Sequence, residues 1–158
     1  MSVASVKAHF EALNLDSPIL ETAENTATVA LAAAAHGVEP GRSANTVAFE
    51  LHDKRVVLLV ARGDARIDNA KFKTALGNGK MLSPDVVADI TGHPVGGVCP
   101  FGLAQALPIY LDGSLQAFDE VLPAAGSVNS AVRISVALLA QITQGQWVDV
   151  CRPPTDAV

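Results

Sequence analysis

The sequence predicts a single α+β domain in which a mixed, strongly curved sheet is covered by helices. Strand-sized and helix-sized segments follow one another without the regular alternation of a doubly wound sheet. Hydrophobic residues make up 49% of the 158, and alanine and valine outnumber aromatics, which describes one real core with many small positions. No internal repeat and no glycine-rich nucleotide fingerprint is present, which argues against solenoid and nucleotide-loop architectures. One domain over residues 1–152 and a frayed tail at 153–158 are expected.

The elements follow in order. Val3, Val6, Phe10 and Leu13 recur at helical spacing, and Asp16-Ser17-Pro18 breaks that helix. A short strand is expected at Ile19 to Glu21. Thr26 to His36 is an alanine-rich helix stopped by Gly37. After a Pro40-Gly41 turn, Val47, Phe49 and Leu51 alternate within a strand from Thr46 to Leu51. His52-Asp53-Lys54 joins it to the buried strand Val56 to Ala61, the clearest hairpin in the chain.

Asn69 to Leu76 reads as a helix stopped by Gly77, and Lys80 to Leu82 as a short strand. Ser83 and Pro84 mark a helix start, N-cap then first position, with the helix running to about Ile90. Strands are expected at Leu107 to Leu111, Glu120 to Leu122 and Ala131 to Ile134, with Asp112-Gly113-Ser114 a turn. Ser135 caps a last helix, Val136 to Ile142, and Trp147 to Val150 is the final strand.

The longest apolar run, Val56 to Ala61, is far too short to span a membrane, and the N-terminus lacks a signal-peptide core. Cytoplasmic residence is the expectation, with Cys99 and Cys151 reduced. A net charge of −5 argues against a broad nucleic-acid face, and no DNA partner is expected. Arg55, Arg62, Arg66, Lys71, Lys73 and Lys80 nevertheless gather in the middle of the chain. They read either as a solvated surface or as a basic rim around a small pocket.

The run TGHPVGGVCPFGL, Thr91 to Leu103, concentrates the candidate chemistry. Gly92, Gly96, Gly97 and Gly102 permit positive φ and close ligand approach, while Pro94 and Pro100 fix φ and remove donors. Such a loop either forms a tight structural turn or presents backbone N–H groups to a carbonyl oxygen or anion. On the second reading a Gly97→Val side chain blocks substrate approach and leaves the fold intact.

His93 and Cys99 share the loop, which invites a cysteine-hydrolase reading. No third residue orients such a pair, and Cys99 reads instead as a small buried hydrophobe and not as a nucleophile. His93 either hydrogen-bonds the loop or touches a substrate. The histidines at 9, 36, 52 and 93 have no ligand spacing, so neither a metal nor a cofactor is expected. Asp64 and Asp68 read as a solvated turn.

Several of these stretches together resemble one family. Gly96-Gly97-Val98-Cys99-Pro100, preceded by Thr91-Gly92-His93, is similar to the G-x-x-x-P loop of the YbaK-type aminoacyl-tRNA deacylases. These are free-standing relatives of the editing domain of bacterial prolyl-tRNA synthetases. Gly37 to Asp68 resembles the family's first hairpin, with its polar R-I-D turn. IYLDGSLQAFDEVLPAAGSVNSAVRIS resembles its closing strand pair.

The resemblance implies a barrel-like mixed core and hydrolysis of the ester joining a wrong small amino acid to the terminal ribose of tRNA, of the tRNA-Pro type. Alanine, cysteine, serine and threonine stay open as that amino acid. It further implies that a ribose hydroxyl assists the attacking water. Gly96, Gly97 and Val98 would aim N–H groups at the ester, with His93 beside them. Pro100 would stiffen the loop, and Gly126 and Ser127 would form the opposite wall.

Asn45 stands, before Thr46, where the family carries a lysine that meets the phosphate end of the substrate. Different substrate contacts, compensation by Lys71 or Lys73, and loss of activity all remain open there. The partners implied are the aminoacylated acceptor end of tRNA and an aminoacyl-tRNA synthetase. The alternative function is a non-catalytic module of the same fold that recognises a synthetase, a tRNA end or a small ligand.

Overall fold

Helix α1 (Ser2–Ala12) buries Val6 and Phe10 and leaves Leu13 exposed beyond its end. This computed structural model describes residues 2–15, 19–21, 40–94, 96–127 and 129–152. The Asp16-Ser17-Pro18 break, the Thr26 to His36 helix and the tail at 153–158 lie outside the described residues.

The hairpin β2 (Ser43–Leu51) and β3 (Val56–Arg62) organises everything else. Side chains alternate across the strand. Phe49 and Leu51 join Val57 and Leu59 on one face, packed with Phe72, Leu76, Val150 and Cys151. Ala44 and Val60 face the other way into the main cluster with Cys99, Phe101, Leu111 and Leu139. Burial on both faces is why β3 is a continuous apolar run.

Strand β4 (Arg66–Ile67) leads into helix α2 (Asn69–Leu76), then β5 (Gly79–Met81) and helix α3 (Pro84–Thr91). After the glycine loop come β6 (Ile109–Asp112), β7 (Glu120–Pro123), β8 (Ser130–Val132) and β9 (Ile134–Ser135). Helix α4 (Val136–Thr143), β10 (Gln146–Val148) and β11 (Cys151–Arg152) complete the described chain.

The main sheet runs β10-β6-β3-β2-β7-β9. β6 is parallel to both β3 and β10, whereas β3 is antiparallel to β2. On its other edge β2 pairs twice. Ser43 and Ala44 lie parallel to β7, while Phe49 to Leu51 lie antiparallel to β5. One strand serving two neighbours on one edge splits the sheet and lets it curl into a half-barrel.

The caps explain several boundaries. The Asp68 carboxylate accepts from the N–H groups of Ala70 and Lys71, and Ser135 accepts from Leu138. Asp68 is therefore a helix cap, not part of a solvated turn. Ser83 occupies the N-cap of α3 without a side-chain bond, and Pro84 supplies the fixed φ at that start.

Two strand assignments change. The predicted strand from Ala131 to Ile134 breaks at Arg133: β8 pairs with β1 (Ile19–Glu21), and β9 pairs with β7. The predicted final strand stops at Val148, because the Val150 N–H turns aside to the Asp112 carboxylate, 2.8 Å away. The chain then re-enters as β11, antiparallel to β4. The R-I-D segment is thus half strand and half cap.

Candidate active site

The glycine loop begins where α3 ends. Gly92 takes the left-handed conformation at φ 78°, with its N–H on the Ala88 carbonyl, and releases the chain toward His93. Thr91 Oγ1 donates to the Val87 carbonyl at 2.7 Å and accepts the His93 N–H at 3.1 Å, which pins the loop entrance. At the exit, the Gly102 N–H donates to His9 Nδ1 of α1 at 2.8 Å. A Cβ on Gly102 would lie 2.5 Å from the Ser5 carbonyl oxygen, so α1 sits directly on the loop. Nothing in the spacing of His9 marked it as a loop anchor.

Within the loop, the Gly97 N–H donates to the Pro94 carbonyl at 2.9 Å. That donor is spent on the turn and does not point at a ligand, which corrects one of the three expected N–H groups. Gly96, at φ 86°, and Val98 are half-buried, and among the described residues their N–H groups have no hydrogen-bond partner. Pro100 is buried.

The Gly97 carbonyl accepts from the Gly126 N–H at 3.0 Å. A Cβ on Gly97 would stand 2.5 Å from the Ser127 nitrogen and 2.7 Å from its Cα. The loop and the Gly126-Ser127 corner are therefore in direct backbone contact at Gly97, closer than the opposite wall of a pocket. Gly97 is required for that contact, so the expectation that Gly97→Val leaves the fold intact is corrected.

Ser130, which sequence reasoning missed, holds the corner. Its Oγ lies 3.1 Å from the Ser127 N–H and 2.8 Å from Ser127 Oγ, which is also 2.9 Å from Asn129 Oδ1. The close spacing of three polar residues, Ser127, Asn129 and Ser130, was the available signal for a hydroxyl-stitched turn.

His93 is completely buried, with Nε2 2.7 Å from the Phe101 carbonyl, so that nitrogen donates, and Nδ1 has no partner among the described residues. Burial holds its pKa below the ordinary histidine value and keeps the ring neutral. Cys99 Sγ lies 3.6 Å from that Nε2 and 3.7 Å from the same carbonyl. Burial pushes the Cys99 thiol up to about 12. A protonated thiol beside a neutral, sealed imidazole is neither nucleophile nor general base. The catalytic role expected of His93 gives way to a structural one, because its ring faces the core.

Thr46 and Asn45 were expected to bind one substrate together, yet consecutive strand residues face opposite ways. Thr46 lies opposite Val60, between Ala44 and Ala48, on the face where Val98 packs with Ala48 and Leu58. It is buried, and its hydroxyl has no partner among the described residues. Asn45 is exposed opposite Ala61, on the face covered by α2. The structure thus associates Thr46, and not Asn45, with the sheet face of the glycine loop.

Among the described residues, no group of three or more His, Cys, Asp or Glu is placed to hold a metal ion. Nor is any helix among them long and apolar enough to cross a membrane.

An aminoacyl-tRNA editing domain family matches residues 23–142. The chain is 43% identical over 154 residues to the uncharacterized protein YwhH of Bacillus subtilis (strain 168), spanning 96% of this chain and 98% of that one. It is 27% identical over 116 residues to EbsC of Enterococcus faecalis, a protein provisionally named a Cys-tRNA(Pro)/Cys-tRNA(Cys) deacylase; the match spans 72% and 71% of the two chains. A crystal structure provisionally described as a trans-editing enzyme for prolyl tRNA synthetase matches with a TM-score of 0.88. Its identity is 28%, over 96% of this chain and 98% of that one.

Proposed function

This chain belongs to the aminoacyl-tRNA editing domain family, and from that premise we propose that it hydrolyses the ester between a small amino acid and the terminal ribose of a mischarged tRNA, of the tRNA-Pro type. The observation that carries the reading is the glycine loop. It offers two N–H donors unspent among the described residues, Gly96 and Val98, on a backbone fixed at both ends and braced against Gly126 and Ser127.

Donors held in place before the reaction stabilise a developing oxyanion without reorganising. Removing one such donor typically costs about 3–4 kcal/mol in the transition state. Gly97 contributes through its carbonyl and its missing side chain, and Pro100 by limiting the loop's freedom. Thr46, whose buried hydroxyl on the loop's face of the sheet is unpaired among the described residues, is the side chain suited to hydrogen-bond a small polar substrate group.

The burial of Cys99 and His93 favours water as the nucleophile, since a thiol held protonated does not attack and the His93 ring is sealed in the core away from a substrate. The substrate's own neighbouring ribose hydroxyl then relays the proton, taking it from the attacking water as it gives its own to the departing ribose oxygen. Asn45, on the other face, is suited to ribose or phosphate beyond the ester, where it supplies hydrogen bonds but no charge.

The test is release of amino acid from tRNA charged with alanine, cysteine, serine or threonine, using purified protein. Catalytic release from at least one of them supports the reading. Saturable tRNA binding with no release from any of them replaces it with the non-catalytic module.

A further inference from the structure

We propose that Arg66 and Arg152, carried side by side on the β4–β11 ladder, form the docking site for the phosphate backbone of the RNA. The proposal rests on the reading that the substrate is a tRNA. It adds where the polyanion is gripped.

The ladder pairs Cys151 with Ile67 and Arg152 with Arg66. Cys151 and Ile67 turn inward, onto the cluster of Phe49, Leu59 and Phe72. Alternation sends both arginines outward, and both are exposed. Directly opposed residues of an antiparallel pair hold their Cβ atoms roughly 4.5–5.5 Å apart, and like charges there repel. The surrounding structure fixes them in place regardless. The Asp68 N–H donates to the Val150 carbonyl at 2.8 Å, the Asp112 carboxylate accepts from Val150, and Lys71 Nζ donates to the Cys151 carbonyl at 3.2 Å.

Among the described residues, neither arginine has a carboxylate partner, and the nearby acids are engaged elsewhere. Asp64 is held by Arg62, Asp68 caps α2, and Asp149 pairs with Lys71. Two exposed guanidinium groups on paired residues, with no carboxylate partner among the described residues, match adjacent phosphates, which each arginine can bind through paired N–H donors. With a net charge of −5 the molecule as a whole repels RNA, so a local cation pair decides where RNA approaches.

The placement also bears on Asn45. The lysine missing at that position is not replaced by Lys71, which is committed to Asp149 and the Cys151 carbonyl. Ala61, opposite Asn45, packs against the same cluster as Ala65 and Ile67, which flank Arg66. The arginine pair therefore lies on the side of the sheet that carries Asn45.

The experiment measures binding of uncharged bulk tRNA to the full chain across a salt series. It compares wild type with Arg66→Gln/Arg152→Gln and with a control of equal charge change, Arg55→Gln/Arg133→Gln. The control removes arginines that already face Asp53 and Glu120. Thermal melts verify that both variants remain folded.

Losing two phosphate contacts should flatten the slope of log K against log salt by about 1.5 and weaken binding on the order of tenfold at moderate salt. The control should change the slope much less, and Arg66→Lys/Arg152→Lys should restore most of it. Equal slopes in wild type and the Arg66/Arg152 variant, equal loss in the control, or no tRNA binding by wild type each overturn the proposal. A separate arm follows amino-acid release by wild type from a charged terminal trinucleotide. That arm judges the deacylase reading independently, because so short a substrate need not reach the ladder.

Discussion

Substituting Gly97 tests the joint on which the candidate site depends. Alanine there puts a Cβ 2.5 Å from the Ser127 nitrogen, 2.7 Å from its Cα and 2.8 Å from the Gly126 carbonyl carbon. All three are backbone atoms, so no side chain can swing away, and the two loops must part by roughly 1 Å to reach normal contact. Parting them strains or breaks the bond from the Gly126 N–H to the Gly97 carbonyl. Overpacking costs about 1–3 kcal/mol and the lost bond about 1 kcal/mol more, so Gly97→Ala should lose about 2–4 kcal/mol of stability. The same shift displaces the Gly96 and Val98 donors, and a misplacement of that size costs about 100-fold in turnover. Urea unfolding and single-turnover deacylation on one preparation read both effects. Gly113→Ala is the control: its nearest contact would be the Val148 carbonyl at 3.8 Å, and stability should move by less than about 0.5 kcal/mol. A Gly97→Ala protein with wild-type midpoint and turnover would refute the loop-to-corner contact and the site built on it.

Cys99→Ala should keep most of its turnover and lose about 1 kcal/mol of stability to the small cavity left behind, and alkylating reagents should leave the folded wild-type Cys99 unmodified. A fall of orders of magnitude in rate at near-normal stability would restore the cysteine mechanism. Because burial lowers the pKa of His93, the unfolded chain binds the proton more readily as pH falls through about 6.5. Stability is therefore fully present above that value and declines below it. The loss attributable to His93 is measured as the part of the urea-midpoint shift on acidification that is absent from His93→Gln. Asn45→Lys should tighten tRNA binding and steepen its salt slope by about 1, and Asn45→Ala should weaken binding by about 1–3 kcal/mol without lowering the melting temperature. Unchanged binding in both would place Asn45 outside the RNA contact.

The elements visible in the sequence were those with local causes. The α2 helix runs from Asn69 to Leu76 and was legible from its Gly77 stop, though its Asp68 cap read as a turn, and the β2–β3 hairpin follows from alternation on one strand and a continuous apolar run on the other. Thr91 to Leu103 was legible as a rigid loop because glycine and proline restrict the backbone wherever they stand. The opposite facing of Asn45 and Thr46 was also in the sequence, in the period of two. It was obscured by treating a shared motif as a shared pocket.

What only the tertiary structure decided were pairings between segments far apart in the chain. Gly97 reads as a flexible position until Ser127 is placed against it, and its N–H is spent on Pro94, which no composition rule foretells. His93 and Cys99 form a plausible dyad by spacing. Burial around the Phe101 carbonyl makes them inert, because the surrounding core sets the cost of charging them. Arg66 and Arg152 meet only because Val150 is turned by Asp112, bringing two strands of two residues each into register. Residue type and local period specify elements and their faces. Which groups remain free to meet a substrate depends on which partners they have already found, and those partners are fixed only when the chain closes on itself.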